Sequence, residues 1–289
     1  MSGALNATKL QGFWDLVKPR LILLVILSAM TGFYLALDSA RSLPALWSVL
    51  LGISLVSAGS MALNQWLERE EDKKMVRTRK RPLPAGVLSK TEAFTVGVVL
   101  SAVGLGVLVI GEHYAAALLA FVTLVLYVWV YTPLKKFTPL CTLIGAIPGA
   151  LPTLTGWAAV QWPLGSRAWI LFSILFLWQM PHFYAISWLW RDDYERAGFK
   201  IISVTDRTGQ RVARHILVYV ILLVLVSGLP VWVGMAGWIY GSGALVLGVY
   251  FLWRAGQAYR DIQQYSRPVF HASILYLTLL LILLIVDKQ

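Results

Sequence analysis

Nine apolar stretches joined by short polar connections govern what this chain can become. Their approximate limits are 20–37, 44–64, 93–111, 114–133, 139–160, 168–190, 215–234, 236–253 and 270–286. A helix needs about 20 apolar residues to cross a hydrocarbon core of roughly 30 Å, and each stretch reaches or approaches that length. Backbone polar groups in lipid must pair within their own segment, so the spans are expected to be helices. The expected fold is therefore all-α: a polytopic membrane protein of nine transmembrane helices, one domain over residues 1–289. The fifth stretch contains Pro148, Gly149 and Pro152 and the sixth contains Pro181, which predicts broken helices there.

Hydrophobic residues make up 58% of the 289 and the mean hydropathy is +0.70, values outside the soluble range. The net charge of +11 reads as loops held against an anionic leaflet, not as nucleic-acid binding. Of the 25 Lys and Arg residues, 22 fall on one side of the nine spans; only Arg41, Arg167 and Lys288 fall on the other. The positive-inside rule then sets the N-terminus in the cytoplasm and the C-terminus outside. The one cysteine, Cys141, lies in a span, which excludes an intramolecular disulfide. The first 20 residues lack the pattern of a cleaved leader.

Charge is densest in residues 64–86, NQWLEREEDKKMVRTRKRPLPAG, which hold four carboxylates and seven Lys or Arg. Asn64, Glu68 and Asp72 are four apart and would share one face of a helix continuing from the second span. Hard oxygen donors in a row suit Mg²⁺, which takes carboxylates together with a substrate's phosphates. Arg77, Arg79, Lys80 and Arg81 suit phosphate oxygens. Pro82, Pro84 and Gly86 put these cations on a loop. A plain basic loop would account for the cations but not for three oxygen side chains in register.

The connection after the sixth span repeats the order of this one. WRDDYERAGFK supplies Asp192, Asp193 and Glu195, then Lys200. Two acidic, cation-flanked helix ends on one membrane face suggest an internal duplication able to hold two metal ions around one diphosphate.

The element from Asn64 to Asp72, with Arg77, Thr78, Arg81 and Pro82, resembles the first motif of the intramembrane aromatic prenyltransferases related to 4-hydroxybenzoate polyprenyltransferase. LVKPRL at 16–21, YTPLKKFTPLCTLIGAIPGALPTLTGW at 131–157 and WQMPHFYAISWLWRDDYERAGFK at 178–200 are similar to the protohaem IX farnesyltransferase branch. The likeness runs from about residue 14 to about residue 270. It implies a nine-helix membrane fold around a central cavity opening near the cytoplasmic face of the cell inner membrane. It implies farnesyl transfer from farnesyl diphosphate to a vinyl group of haem b, with addition of water, giving haem O. Mg²⁺ as cofactor and a place in haem supply beside haem A synthase or terminal-oxidase assembly factors follow from the same likeness. Two positions depart from the common pattern. Glu68 stands where an aspartate is usual, and Asp192-Asp193-Tyr194-Glu195 replaces two aspartates four apart.

On this reading Asn64, Glu68, Asp72 and Asp192 or Asp193 bridge Mg²⁺ to the leaving diphosphate. Arg77, Lys80, Arg81, Lys135, Lys136 and Lys200 are the expected diphosphate cations. Trp66, Tyr131, Phe183 and Tyr184 are candidates to shield an allylic cation. His182, an ionisable group inside a span, is a candidate to ligate haem iron or bind a propionate. Three other readings remain at this point: a transporter, a haem-binding assembly factor, and a prenyltransferase for a quinone precursor. A transporter's acidic groups belong near the midplane, whereas these lie at helix ends.

Overall fold

The computed structural model describes residues 2–37 and 45–289, with side chains from Thr8 onward. Arg41, counted above among the outer cations, lies outside them. The regular structure of the described residues is helical, apart from one antiparallel bridge between Ala236 and Lys288. In chain order the helices are α1 (Ser2–Val17), α2 (Pro19–Ala36), α3 (Ala45–Leu67), α4 (Arg69–Lys74), α5 (Lys90–Ile110) and α6 (Tyr114–Val125). Next come a π-helix (Leu126–Tyr131), α7 (Thr132–Leu134), α8 (Cys141–Ala158), α9 (Ser166–Leu189), α10 (Arg191–Ala197) and α11 (Ile202–Thr205). The chain ends with α12 (Gln210–Ser227), α13 (Leu229–Trp232), α14 (Trp238–Arg260) and α15 (Ile262–Val286).

Each of the nine apolar stretches is helical over most of its described residues, and seven segments are long and apolar enough to cross a membrane. The fifth and eighth stretches, α8 and α14, fall outside those seven. Pro148, Pro152 and three threonines dilute α8, and Arg254, Gln257 and Arg260 dilute α14. The expected breaks are absent: α8 runs through Pro148 and Pro152, and α9 through Pro181. These prolines are buried against neighbouring helices, where protein groups can take up the freed carbonyls.

The main core lies among α8, α9, α12, α14 and α15, with a second cluster joining α3, α5 and α6. Helix α8 is buried along most of its length because α2 approaches it backbone to backbone. A Cβ on Gly32 would stand 2.0 Å from the Thr153 carbonyl, and one on Gly156 would stand 1.9 Å from that of Ala29. Such small-residue crossings are how membrane helices gain close packing without a hydrophobic drive between them. At the far end, Lys288 Nζ donates to the Tyr34 and Leu37 carbonyls at 2.8 and 2.5 Å, capping α2.

The opposite end carries the polar layer. Short helices α4 and α10 each follow a spanning helix after a single non-helical residue, Glu68 and Trp190, and they pack against each other. Beneath them sit Met75, Cys141, Ala197, Phe199 and Ile201. Helices α1 and α2 meet at one corner residue, Lys18, whose φ of 52° and ψ of 61° are left-handed. A side chain in that conformation costs about 1–2 kcal/mol.

Candidate active site

The acidic row forms although the helix does not continue unbroken. Glu68 N donates to Asn64 O at 3.0 Å and Asp72 N to Glu68 O at 2.8 Å. The four-residue spacing therefore survives the turn at Glu68, and all three side chains are buried. Asn64 Nδ2 donates to Thr132 Oγ1 at 3.1 Å. Thr132 Oγ1 donates in turn to Tyr127 O at 2.8 Å, across the wide turn of the π-helix. Glu68 pairs with Lys135 at 2.7 Å. Burial alone would lower the Lys135 amine, but the charge of Glu68 beside it holds it well above the ordinary lysine value. Lys135 Nζ also lies 4.5 Å from the centre of the Tyr131 ring. Asp72, fully buried, accepts from Arg81 Nη1 at both of its carboxylate oxygens, at 2.9 and 2.8 Å, a charge-assisted pair.

The second acidic loop meets the first through Asp193, with a different use for each aspartate. Asp193 accepts from the backbone N–H groups of Val76 and Arg77, both at 3.0 Å, and from Arg196. Burial would raise its carboxyl, yet the bonds from Arg77, Arg196 and Val76 hold it below the ordinary aspartate value. Asp192 is 76% exposed and, among the described residues, reaches only Arg191, at 3.4 Å. Arg77 lies over Trp190 and Tyr194 at the surface. Lys136 pairs with Glu71 at 2.6 Å, and the other Glu71 oxygen is buried with no partner among the described residues. Lys200 is tied by its backbone, donating N–H to the Lys135 carbonyl at 2.7 Å while its side chain is exposed. Lys80 lines a surface cleft of about 420 Å³ with Gln11 and Asp15.

His182 lies in α9, and its Nδ1 is 2.7 Å from Ser273 Oγ of α15. That hydroxyl gives its one proton to Phe270 O at 2.6 Å, so it accepts from an Nδ1–H. The tautomer follows: Nε2 carries the lone pair, and among the described residues nothing bonds to it. The ring is flanked by Trp178, Phe183 and Phe270, with centroids 4.9, 5.7 and 5.1 Å away. Tyr184 stands apart from the acidic row, its ring tilted against those of His215 and Tyr219. Trp66 packs on Phe94 and under Arg69, also outside it.

Sequence reasoning missed Thr132, Glu71, Ser273 and Gln65. Gln65 is fully buried, and its Nε2 donates to the Asp15 and Leu16 carbonyls at 3.2 and 2.8 Å. A polar residue inside an apolar run directly after Asn64 was the available signal. Among the described residues no three His, Cys, Asp or Glu side chains gather closely enough to hold one ion by themselves. The donor chemistry still fits Mg²⁺, which often takes one or two carboxylates and completes its shell with substrate phosphates. The unpartnered Glu71 oxygen adds a buried hard donor one residue from Asp72.

A model of the UbiA prenyltransferase family matches residues 25–284. A protein of Koribacter versatilis (strain Ellin345) named protoheme IX farnesyltransferase is 40% identical, over 98% of this chain and 94% of its own. One of the same name from Sorangium cellulosum (strain So ce56) is 45% identical, over 85% and 88%. Among solved structures, digeranylgeranylglyceryl phosphate synthase superposes with a TM-score of 0.80 at 18% identity, over 96% of this chain and 98% of that one. A UbiA homolog from Archaeoglobus fulgidus bound to DMAPP and Mg²⁺ gives 0.65 at 15% identity, over 95% and 99%. The class is thus an intramembrane prenyltransferase. The chain belongs to the UbiA prenyltransferase family, in its group of protoheme IX farnesyltransferases.

Proposed function

We propose that this enzyme transfers the farnesyl group of farnesyl diphosphate to a vinyl group of protohaem IX, giving haem O. The observation that carries the reading is the buried acidic row of Glu68 and Asp72, each matched to a cation, at the helix ends where Asp193 holds the cationic loop. The names of the relatives supply the acceptor and the prenyl length, and the neighbouring structures bound to prenyl diphosphates and Mg²⁺ support the donor chemistry. Asn64, Glu68 and Asp72 would hold Mg²⁺, with Glu71 in reserve and Asp192 or Asp193 as the distal carboxylate. Bound there, the ion neutralises charge on the leaving diphosphate.

The chain's own residues do the rest. Arg81, Lys135, Lys136 and Arg77 bind the diphosphate oxygens, with Lys80 and Lys200 at the rim. Breaking the allylic C–O bond releases diphosphate and leaves a farnesyl cation, shielded by the Tyr131 face. The vinyl group's terminal carbon bonds to that cation, and water adds to the carbon next to the porphyrin, losing a proton to leave the hydroxyl. His182 Nε2 ligates the haem iron and so orients the ring. The domain is the whole chain, with nine spans around a cavity opening to the cytoplasm, N-terminus inside and C-terminus outside the cell inner membrane. Haem A synthase or terminal-oxidase assembly factors would receive the product.

The test is purified protein incubated with farnesyl diphosphate, Mg²⁺ and haem b, followed by mass analysis of the haem. A farnesyl-plus-water gain is expected. Unmodified haem, with the label instead on a phenolic acid, would move the enzyme to a quinone-precursor acceptor.

A further inference from the structure

The short helix α4 has two faces, and only one of them serves the acidic row. Asp72 is buried there, whereas Arg69, Glu70 and Lys73 line a separate cleft of about 390 Å³. Lys9 of α1 and Lys90 and Glu92, in the first turn of α5, complete its charged lining. Four cations and two carboxylates therefore meet in one cleft. Lys9 pairs with Glu92 and Lys73 with Glu70, both at 2.8 Å. Glu70 also stands 3.6 Å from Arg69 Nε, too far for a hydrogen bond, and that nitrogen has no hydrogen-bond partner among the described residues. Lys90 has neither an ion pair nor a side-chain hydrogen bond among them. Two positive charges are left over.

The surface beside the cleft indicates what they hold. Arg69 Nη1 donates to Trp66 O at 2.6 Å, and its guanidinium lies 5.6 Å from the centre of the Trp66 ring. Trp66 in turn packs on Phe94 of α5, with centroids 4.9 Å apart. Phe94 and Val98, one turn apart, are 39% and 43% exposed on a helix long and apolar enough to cross a membrane. The cationic cleft thus sits at the polar ends of α3 and α5 and runs onto an apolar helix face. Basic pockets between membrane helices at that depth suit anionic lipid headgroups.

We infer that this cleft binds the headgroup of an anionic phospholipid, with Arg69 and Lys90 on its phosphate and its acyl chains along Phe94 and Val98. A free phosphate would use the charges and leave the apolar face idle. The site lies outside the prenyl-transfer chemistry and does not rest on it.

The test is calorimetric titration of the purified, delipidated full chain with dioctanoyl phosphatidylglycerol, dioctanoyl phosphatidylcholine and inorganic phosphate. Saturable binding of phosphatidylglycerol alone is expected. Each cation lost near an anionic headgroup should weaken it about fivefold, so Lys90→Gln should lose about fivefold and Arg69→Gln with Lys90→Gln about twenty-fivefold. Lys90→Gln breaks no side-chain contact and keeps the Ser89–Glu92 cap of α5, so its loss of binding is not a loss of fold. Wild-type affinity in Lys90→Gln and in the double variant would overturn the inference, and so would equal binding of phosphatidylcholine. Inorganic phosphate binding as tightly as phosphatidylglycerol would overturn it in favour of a small-anion site.

Discussion

Asp193→Ala is the perturbation that most directly separates loop architecture from chemistry. The carboxylate holds two backbone N–H groups of the cationic loop, at Val76 and Arg77, at 3.0 Å each. Hydrogen bonds to a charged group contribute about 1.5–3 kcal/mol apiece. Water replaces part of that when the loop opens, and the half-exposed Arg196 adds little. A net loss of about 3 kcal/mol is a fair working value, and at 1.4 kcal/mol per decade it raises the open population roughly a hundredfold. Trypsin reads this directly, since Arg77, Arg79, Lys80 and Arg81 all lie in the loop and cleavage of a locally opened segment follows its population. Asp193→Asn, which keeps one acceptor, should fall between variant and wild type. The sign of the pH effect also follows. Because the folded carboxyl lies below the ordinary value of 3.8, its stabilisation is complete above that pH. It is lost as pH falls from there through the lower folded value. Cleavage of the Ala variant at the wild-type rate would refute the assignment of Asp193 as the pin of the loop.

Asp72→Asn should abolish prenyl transfer while folded protein stays in the membrane; near-normal haem O formation would defeat the metal-bridge assignment. His182→Ala should remove the imidazole-ligated absorption spectrum expected when ferric haem b is added to the purified protein, and added imidazole should restore it. An unchanged spectrum in the variant would rule out Nε2 as the ligand. Gly156→Ala drives a methyl into the Ala29 carbonyl; a loss of about 1–3 kcal/mol is expected as a lowered Tm, and a Tm at the wild-type value would show that α2 can step away freely.

The features that could be read from the sequence share one property: they depend on spacing within a single element. Asn64, Glu68 and Asp72 fall in a row because residues four apart do so on any helix, and the i→i−4 bonds carry the row across the break at Glu68. The apolar stretches were legible for the same reason, down to α8 and α14, whose helicity was foreseen although their composition is diluted. What was not legible depends on partners far along the chain. Nothing local to DDYE distinguishes the aspartate that turns toward Val76 and Arg77 from the one that faces solvent. The surroundings of Tyr184 and Lys80 were not legible either, because helix rotation sets the first beside Tyr219 and loop direction sets the second in a cleft with Gln11. The prolines of α8 and α9 were expected to break helices, and tertiary burial overrode that local preference.

The wide turn from Leu126 to Tyr131 has a consequence for how this protein tolerates change. Each residue of an ordinary helix advances the chain by about 100°, so the one additional residue in that turn decides which way everything after it faces. Deleting any single residue there would leave composition and span length almost untouched. It would nonetheless swing Lys135 away from Glu68 and Thr132 away from Asn64. Substitutions in this stretch should therefore be absorbed far more readily than a one-residue gap, and the phase of the helix is the quantity under constraint.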